Sequence, residues 1–334
     1  VPSKTLIRTA TIAQQAREAE RYGLPSLDPG PVDMGAVNAR IAGVIEGIAV
    51  HDSPERFNKL GAEVFLGHAE FISPHEIRLN GSETLSAAKI ILATGSSPRA
   101  IPFPGLEETG YITNLDAFSL DRLPGRLVTV GAGPIGLELS QAFARLGSRV
   151  TVIDIAPQVL PREDADMADV VAARAASDGV AFRLGAKIGR VERDGATRRI
   201  VLTNAEGVEE TIDADEILVA VGRQGNTSGL GLEAAGVEVE KSFATVNSKL
   251  QTSQKHILGV GDVNGRFLFT HVAGAEGSLA VRRVALHAGG SMDYRTVPWV
   301  TYTEPELASV GYNEARAKEA GIDYHAVVES YESN

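Results

Sequence analysis

The segment Leu127-Val-Thr-Val-Gly-Ala-Gly-Pro-Ile-Gly-Leu-Glu138 joins an apolar strand, a glycine-rich turn and the start of a helix. Gly131 permits a tight turn, Gly133 lets the backbone approach a pyrophosphate, and Gly136 lets the helix pack closely on the strand. The helix N-terminus adds free N–H groups and the positive end of the helix dipole. The segment therefore predicts a dinucleotide site, with contacts from Gly131, Gly133, Pro134, Ile135 and Gly136.

Asp154 closes the next apolar strand, Val150-Thr-Val-Ile-Asp154. In dinucleotide-binding folds a carboxylate about 20 residues after the first glycine bonds the adenosine ribose. Such a carboxylate accepts from the free hydroxyl of NAD and repels the 2′-phosphate of NADP, so the sequence predicts NAD(H). Arg162 lies downstream and could moderate this preference, which leaves NADP as the less favoured alternative.

The composition of the chain is that of an ordinary globular protein, with 43% hydrophobic and 22% charged residues. Its 334 residues suffice for two or three domains. A net charge of −11 without any block of Lys and Arg argues against nucleic acid and anionic lipid as partners. No apolar run reaches the roughly 18 residues of a membrane helix, and the first residues show no signal-peptide pattern. A small-molecule substrate is expected instead.

Cysteine is absent from the sequence. This excludes disulfides, thiolate zinc sites, iron–sulfur clusters and thiol nucleophiles within these residues. The 7 histidines are scattered without the spacing of a metal site, so no metal is predicted.

Two further strands end in glycine and suggest an internal repeat. Lys89-Ile-Ile-Leu-Ala-Thr-Gly95 is a continuous apolar run, typical of a buried parallel strand. The strand predicted over Glu216–Arg223 has the same pattern, which indicates two nucleotide-binding domains of similar build. Other elements predicted are a helix over Thr5–Tyr22, a strand over Ala62–Phe71 and a final strand that stops at Asn334.

Four segments in order resemble one family. They are Val1-Pro-Ser-Lys4, Ala93-Thr-Gly95, Gly261-Asp262 and Thr303-Glu-Pro-Glu-Leu-Ala-Ser-Val-Gly311. Together with the glycine loop they resemble the flavin-dependent pyridine nucleotide–disulfide oxidoreductases, the group of dihydrolipoamide dehydrogenase, glutathione reductase and mercuric reductase. The sequences around Asp52-Ser-Pro-Glu-Arg56 and Gly133-Pro-Ile-Gly136 are most similar to the mercuric reductase-like branch.

The resemblance implies an α/β fold with two Rossmann-like three-layer dinucleotide-binding domains and the start of an α+β dimerisation domain. Residues 1–112 and 228–292 would form an incomplete FAD domain, 113–227 an inserted NAD domain, and 293–334 the partial dimerisation domain. The full-length parent would be a cytoplasmic homodimer, because each active site in the family takes its acid–base from the partner chain.

The same resemblance implies cofactor contacts. Asp262 would bond the flavin ribityl chain, and Thr94 and Gly95 would bring backbone close to the FAD. Ala69 would meet the adenine end and Thr270 the isoalloxazine, although for these two residues a plain packing role is an equal alternative. Gly222 and Ile188 would line the nicotinamide side, and Pro134 stands where some relatives carry an aromatic gate.

Lys4 and Glu138 are the predicted catalytic pair. The family joins the Lys of Pro-Ser-Lys to the Glu that ends GxGxxGxE, close to the reactive N5 of the flavin. A cation there favours the arrival of hydride, while the carboxylate holds the cation and offsets its burial.

Departures from the family concern its redox chemistry. The FAD fingerprint, both redox cysteines and the C-terminal His-x-x-x-x-Glu are missing, so these residues alone cannot exchange disulfides. Two interpretations stay open. The chain is the interior of a longer flavoenzyme, truncated at both ends, or it is a non-catalytic NAD-binding fragment. The terminal electron acceptor, a disulfide or a metal ion, cannot be read from the sequence.

Overall fold

The computed structural model describes residues 1–99 and 101–331, and these contain eight α-helices. The helices are α1 (Pro2–Arg17), α2 (Met34–Ala49), α3 (Pro54–Lys59), α4 (Leu106–Thr109), α5 (Pro134–Leu146), α6 (Ala165–Ser177), α7 (Thr270–Ala285) and α8 (Glu314–Glu319). Short 3-10 helices cover Ala19–Tyr22, Val50–Asp52, Asp116–Phe118 and Gly261–Asn264. Among the described residues, no helix is long and apolar enough to cross a membrane.

The strands are short, and many of them follow one another without an intervening α-helix. They are β1 (Ala69–Ser73), β2 (Glu76–Leu79), β3 (Glu83–Ser86), β4 (Ile90–Leu92), β5 (Ser96–Pro98), β6 (Arg126–Val130), β7 (Arg149–Asp154), β8 (Val180–Leu184), β9 (Lys187–Asp194), β10 (Thr197–Thr203), β11 (Glu209–Ala214), β12 (Glu216–Val219), β13 (Arg223–Gly225), β14 (Val239–Glu240), β15 (Phe243–Ala244), β16 (Ile257–Gly259), β17 (Pro298–Thr301) and β18 (Leu307–Val310).

The chain divides into two compact units, each assembled from separate stretches of sequence. Unit 1 consists of residues 1–2, 39–101 and 221–294, and unit 2 of residues 3–38, 102–220 and 295 onward. The four domain segments derived from the resemblance stay predictions beside this division.

Unit 2 is built on a four-stranded parallel sheet in the order β12-β6-β7-β8. Four of the five residues of β6 are buried, which is typical of a parallel strand covered on both faces. Helix α5 packs on β6 and β7, and its Leu137 and Phe143 are fully buried. The predicted strand–turn–helix–strand unit is therefore confirmed. Antiparallel strands in the order β11-β10-β9 form a second sheet, and β17 pairs with β18.

Unit 1 has a smaller parallel core. β4 pairs in parallel with β16, with Ile90 opposite Ile257 and Leu92 opposite Gly259. Around this pair lie a three-stranded antiparallel sheet, β1-β2-β3, and the antiparallel pair β13-β5. A buried apolar cluster that includes Phe71 of β1, Ile90 of β4 and Ile257 of β16 forms this core. The parallel strand predicted over Lys89–Gly95 is thus confirmed in its central part.

The strand predicted over Ala62–Phe71 is wrong in its first half, because regular pairing begins only at Ala69. The side chain of Asn80 takes the place of a neighbouring strand: its Oδ1 accepts from His68 N at 2.9 Å and its Nδ2 donates to Leu66 O at 3.2 Å. Gly67 has φ +146°, which turns the backbone out of an extended strand.

Two other predicted boundaries also differ. The helix predicted over Thr5–Tyr22 ends at Arg17 and continues as a 3-10 helix to Tyr22, where Gly23, at φ +74°, provides the predicted stop. No strand follows α8 within residues 322–331, and the last residues of the predicted strand lie outside the described part of the chain.

Candidate functional site

The glycine turn of unit 2 has the close contacts that require glycine. A Cβ on Gly136 would lie 1.9 Å from Gly131 O and 3.4 Å from Thr129 Cγ2, so any side chain would force helix and strand apart. Gly131 adopts φ +110°, a conformation that favours glycine, and its N–H donates to Ile153 O at 2.8 Å. Two of the three fingerprint glycines are thus explained by backbone geometry alone.

Gly133 is different, because a Cβ there would meet nothing within 4 Å. Gly133 is the N-cap of α5, and no side chain caps the first N–H groups of this helix. Pro134 is exposed and Ile135 is half-buried at the first turn. This open helix N-terminus fits a pyrophosphate, which would use the unpaired N–H groups.

Asp154 does more in the structure than the sequence predicts. Its Oδ2 accepts from Ala132 N at 2.6 Å, and its Oδ1 accepts from Ala156 N at 2.8 Å. The carboxylate therefore stabilises the glycine turn and the loop after β7 at once. Each oxygen has a second acceptor site, so the geometry also fits a ribose hydroxyl.

Lys4 and Glu138, which lie far apart in sequence, form an ion pair in unit 2. Lys4 Nζ donates to Glu138 Oε2 at 2.6 Å, and the two side chains are 43% and 7% exposed. The other carboxylate oxygen, Oε1, accepts from Tyr302 N at 2.9 Å. Lys4 Nζ also lies 4.1 Å from the centroid of the Tyr302 ring. Glu138 is thus a buried acceptor, and the ammonium stands between a carboxylate and an aromatic face.

Glu138 begins a row of buried polar side chains on one side of α5, which we call the α5 polar face: Glu138, Gln141 and Arg145. Gln141 donates to Glu304 O and accepts from Glu304 N, both at 2.8 Å. Arg145 donates to Glu304 Oε2 at 2.6 Å and pairs with the buried Asp178 at 2.8 Å. The α5 polar face therefore holds the backbone of residues 302–304.

In unit 1, Asp262 lies in the 3-10 helix Gly261–Asn264 that follows β16. Its Oδ2 accepts from Ser96 Oγ at 2.6 Å and lies 3.7 Å from Arg223 Nε. Arg223 in turn donates to Ser96 Oγ at 2.7 Å and to Ser96 O at 2.6 Å. Asp262 is therefore fixed by residues from both strands of the β13-β5 pair.

Thr94 and Gly95 stand at the end of the β4 segment, where the predicted FAD contact lies. Thr94 Oγ1 donates to Asn226 O at 2.8 Å, and Asn226 Nδ2 donates to Thr94 O at 2.9 Å. Gly95 has φ +72° and Gly222 has φ +115°, and a Cβ on either would meet nothing within 4 Å. Both strands of the predicted repeat are thus followed by a glycine at positive φ with free space beside its Cα. This space fits the close approach of a cofactor.

Glu276 on α7 is a site residue that sequence reasoning missed. It is completely buried, and its Oε2 accepts from Gly261 N at 2.6 Å and from Asn264 Nδ2 at 2.8 Å. Its Oε1 accepts from Tyr294 Oη at 2.5 Å. Burial, followed by the hydrogen bond to Glu276, raises the pKa of Tyr294. The only sequence signal is an acid within the run of small residues Ala273-Gly-Ala-Glu-Gly277.

Three further predicted contacts are Ala69, Thr270 and Ile188. Ala69 is exposed at the start of β1, opposite Leu79. Thr270 is the exposed first residue of α7. Ile188 is only 8% exposed on β9, in register with Leu202 of β10. Their cofactor roles stay predictions.

Comparison with known proteins gives two family matches. The family described as pyridine nucleotide-disulphide oxidoreductase matches residues 1–277, and its dimerisation domain matches residues 297–334. These matches confirm the resemblance and the predicted fold class. FAD and NAD(P)H, which the sequence predicts, are the cofactors of this family.

Individual relatives agree with the family match. A mercuric reductase of Lysinibacillus sphaericus is 33% identical over 324 residues, which are 97% of this chain and 59% of the relative. A dihydrolipoyl dehydrogenase of Bacillus subtilis strain 168 is 33% identical over 326 residues, 95% of this chain and 69% of the relative. The HOCl-induced flavoprotein disulfide reductase RclA from Escherichia coli superimposes with a TM-score of 0.81 at 30% identity, over 96% of this chain and 69% of that one.

The chain thus spans between half and 69% of the length of the curated relatives it matches. Its glycine turn, its Lys4–Glu138 pair and the turn at Asp262 all lie within the residues of the first family match. The chain belongs to the pyridine nucleotide-disulphide oxidoreductase family.

Proposed function

We propose that this chain is the nucleotide-binding part of an FAD-dependent NAD(P)H oxidoreductase of the disulfide-reductase type. The observation that carries the proposal is the ion pair of Lys4 with Glu138, at 2.6 Å, on the helix that starts at the open glycine turn. Helix α5 presents N–H groups at its N-terminus, and one turn later its Glu138 binds the Lys4 ammonium. The helix can therefore contact both a dinucleotide and a redox cofactor.

Each unit supplies its own contacts. In unit 2, Gly133 and the N-terminus of α5 would hold the pyrophosphate of NADH, and Asp154 would accept from the adenosine ribose. In unit 1, Asp262 would accept from the ribityl hydroxyls of FAD, and Thr94 with Gly95 would bring backbone against it. When bound, NADH supplies a hydride and FAD receives it.

Lys4 would stabilise negative charge where the hydride arrives, since its ammonium is a cation with three N–H donors. Glu138 keeps that cation in place, because a buried carboxylate that already accepts from Tyr302 N has little freedom to move. The two partners are in direct contact, with Lys4 Nζ 2.6 Å from Glu138 Oε2.

The terminal electron acceptor would be a small molecule, either a disulfide or a metal ion, as the names of the mercuric and lipoyl relatives suggest. The sequence contains no cysteine, so these residues alone would not carry electrons beyond the flavin. The match of residues 297–334 to a dimerisation domain supports a homodimeric parent, which we place in the cytoplasm.

The test is flavin reduction. The chain is loaded with FAD and mixed anaerobically with NADH, while the flavin absorbance is followed. We expect Glu138→Ala to slow reduction by at least about tenfold, because the Lys4 ammonium loses the carboxylate that holds it where the hydride arrives. Glu319→Ala, which removes an exposed carboxylate at the end of α8, is the matched control and keeps the rate.

An unchanged rate in Glu138→Ala contradicts the proposal. Binding of NADH without any uptake of FAD would favour the alternative, a non-catalytic NAD-binding fragment.

The coenzyme preference is measured in the same assay: we expect a higher kcat/KM with NADH than with NADPH, because Asp154 would repel a 2′-phosphate. The reverse order would contradict the role given to Asp154.

A further inference from the structure

The Lys4 ammonium has a second neighbour besides Glu138, the aromatic ring of Tyr302. Nζ lies 4.1 Å from the ring centroid, well inside the range of a cation–π interaction. We propose that Tyr302 is a positioning residue for Lys4, whose ring fixes the ammonium for the flavin reduction described above. The inference rests on the proposed function and deepens it.

The ring is held in place by its own backbone. Tyr302 N donates to Glu138 Oε1, and Gln141 makes two hydrogen bonds, both of 2.8 Å, to the backbone of Glu304. Thr303, between these two residues, is buried, and its Oγ1 donates to Pro305 O at 2.8 Å. The segment therefore cannot slide along α5 without breaking several buried hydrogen bonds.

Lys4 needs such a second support because its side chain is 43% exposed. A half-exposed lysine retains rotamer freedom, and a single carboxylate contact leaves much of that freedom. With Glu138 on one side and the ring of Tyr302 on the other, the ammonium is limited to a narrow set of positions. Glu138 contacts both Lys4 and the backbone of Tyr302, so the three residues act as one unit.

The test uses the FAD-loaded chain and anaerobic NADH, with Tyr302→Leu, Tyr302→Phe and Lys4→Met. A cation–π contact at a half-exposed site corresponds to roughly a three- to tenfold effect. We expect Tyr302→Leu to slow flavin reduction by about fivefold without changing the NADH concentration at half-saturation. Tyr302→Phe keeps most of the rate because it keeps the ring.

A double substitution separates positioning from general damage. In the Lys4→Met background, Tyr302→Leu should have no further effect, because the ring has no ammonium left to hold. Tyr312→Leu is the control, since Tyr312 lies 5.6 Å from the guanidinium of Arg316 in another cation–π contact of unit 2. It should leave the rate unchanged.

A shape-conserving variant covers the case in which Tyr302→Leu does not fold. Replacing Tyr302 by 3,4,5-trifluorophenylalanine keeps the ring but removes the negative potential of its face. The rate should fall below that of Tyr302→Phe, and equal rates would overturn the inference. If Lys4→Met slows reduction while Tyr302→Leu does not, the inference fails and the proposed function stands. If Lys4→Met itself has no effect, both fail.

Discussion

Glu138 in unit 2 and Glu276 in unit 1 are both buried glutamates, 6% and 0% exposed, yet their surroundings differ in kind. Glu138 accepts from one cation, Lys4, and from one backbone N–H. Glu276 accepts from three neutral donors, including the hydroxyl of Tyr294. Glu138 therefore orients the half-exposed Lys4 ammonium, whereas Glu276 links the Gly261–Asn264 turn to helix α7.

The difference separates function from stability. The three neutral donors around Glu276 all donate to this one buried carboxylate. Glu276 therefore stabilises the Gly261–Asn264 turn, which carries Asp262. The Lys4–Glu138 pair faces solvent on the lysine side, so its loss costs less stability. Substitution of Glu276 should therefore lower stability more than substitution of Glu138, whereas substitution of Glu138 should slow flavin reduction more.

The largest effect on stability is expected from Glu276→Ala. It leaves Gly261 N, the amide of Asn264 and the hydroxyl of Tyr294 without their acceptor, at a cost of about 3 kcal/mol in the free energy of unfolding. Urea unfolding monitored by circular dichroism measures the change. Glu233→Ala, at an exposed glutamate of unit 1, is the control, and an equal loss in both would break the comparison.

A smaller loss of stability, about 1 kcal/mol, is expected from Glu138→Ala, because Lys4 regains water while only Tyr302 N loses a buried acceptor. The same urea titration measures it. If Glu138→Ala destabilises the chain more than Glu276→Ala, the assignment of the first carboxylate to orientation and of the second to stability is reversed.

The smallest effect concerns pH and Tyr294. Burial and Glu276 raise its pKa above the usual value of 10.0, so the folded state holds the phenolic proton more tightly than the unfolded state. The resulting stability is fully present below pH 10 and is lost as the pH rises through the folded-state pKa. In Tyr294→Phe this alkaline loss should shrink. Unfolding free energies at pH 8 and pH 10.5 test it, and an unchanged slope contradicts it.

The sequence predicted the features that depend on neighbours in the chain. The glycine turn, its helix and the strand before it follow from local pattern, because each residue acts within one strand–turn–helix unit. The Lys4–Glu138 contact was predicted only through the family resemblance. Spacing alone offers no reason to pair a residue of α1 with one of α5.

Other features depended on tertiary partners and escaped prediction. Glu276 looks like a solvated helix acid until the turn at Gly261 is placed against it. The strand predicted before Ala69 is wrong for a similar reason: the side chain of Asn80, more than ten residues away in sequence, makes the hydrogen bonds to the backbone there. Asp154 was predicted for the ribose, but its two backbone bonds within the turn appear only in three dimensions.

The α5 polar face has a practical consequence for how this chain can be divided. Gln141 and Arg145 are buried and hydrogen-bonded to Glu304, although the family match assigns residues from 297 onward to a different domain. A fragment that ends before Pro298 would leave helix α5 with uncovered polar groups beside an apolar sheet. The nucleotide-binding part is thus not a self-sufficient module, because the hydrogen-bond partners of the α5 polar face come from the residues matched to the dimerisation domain.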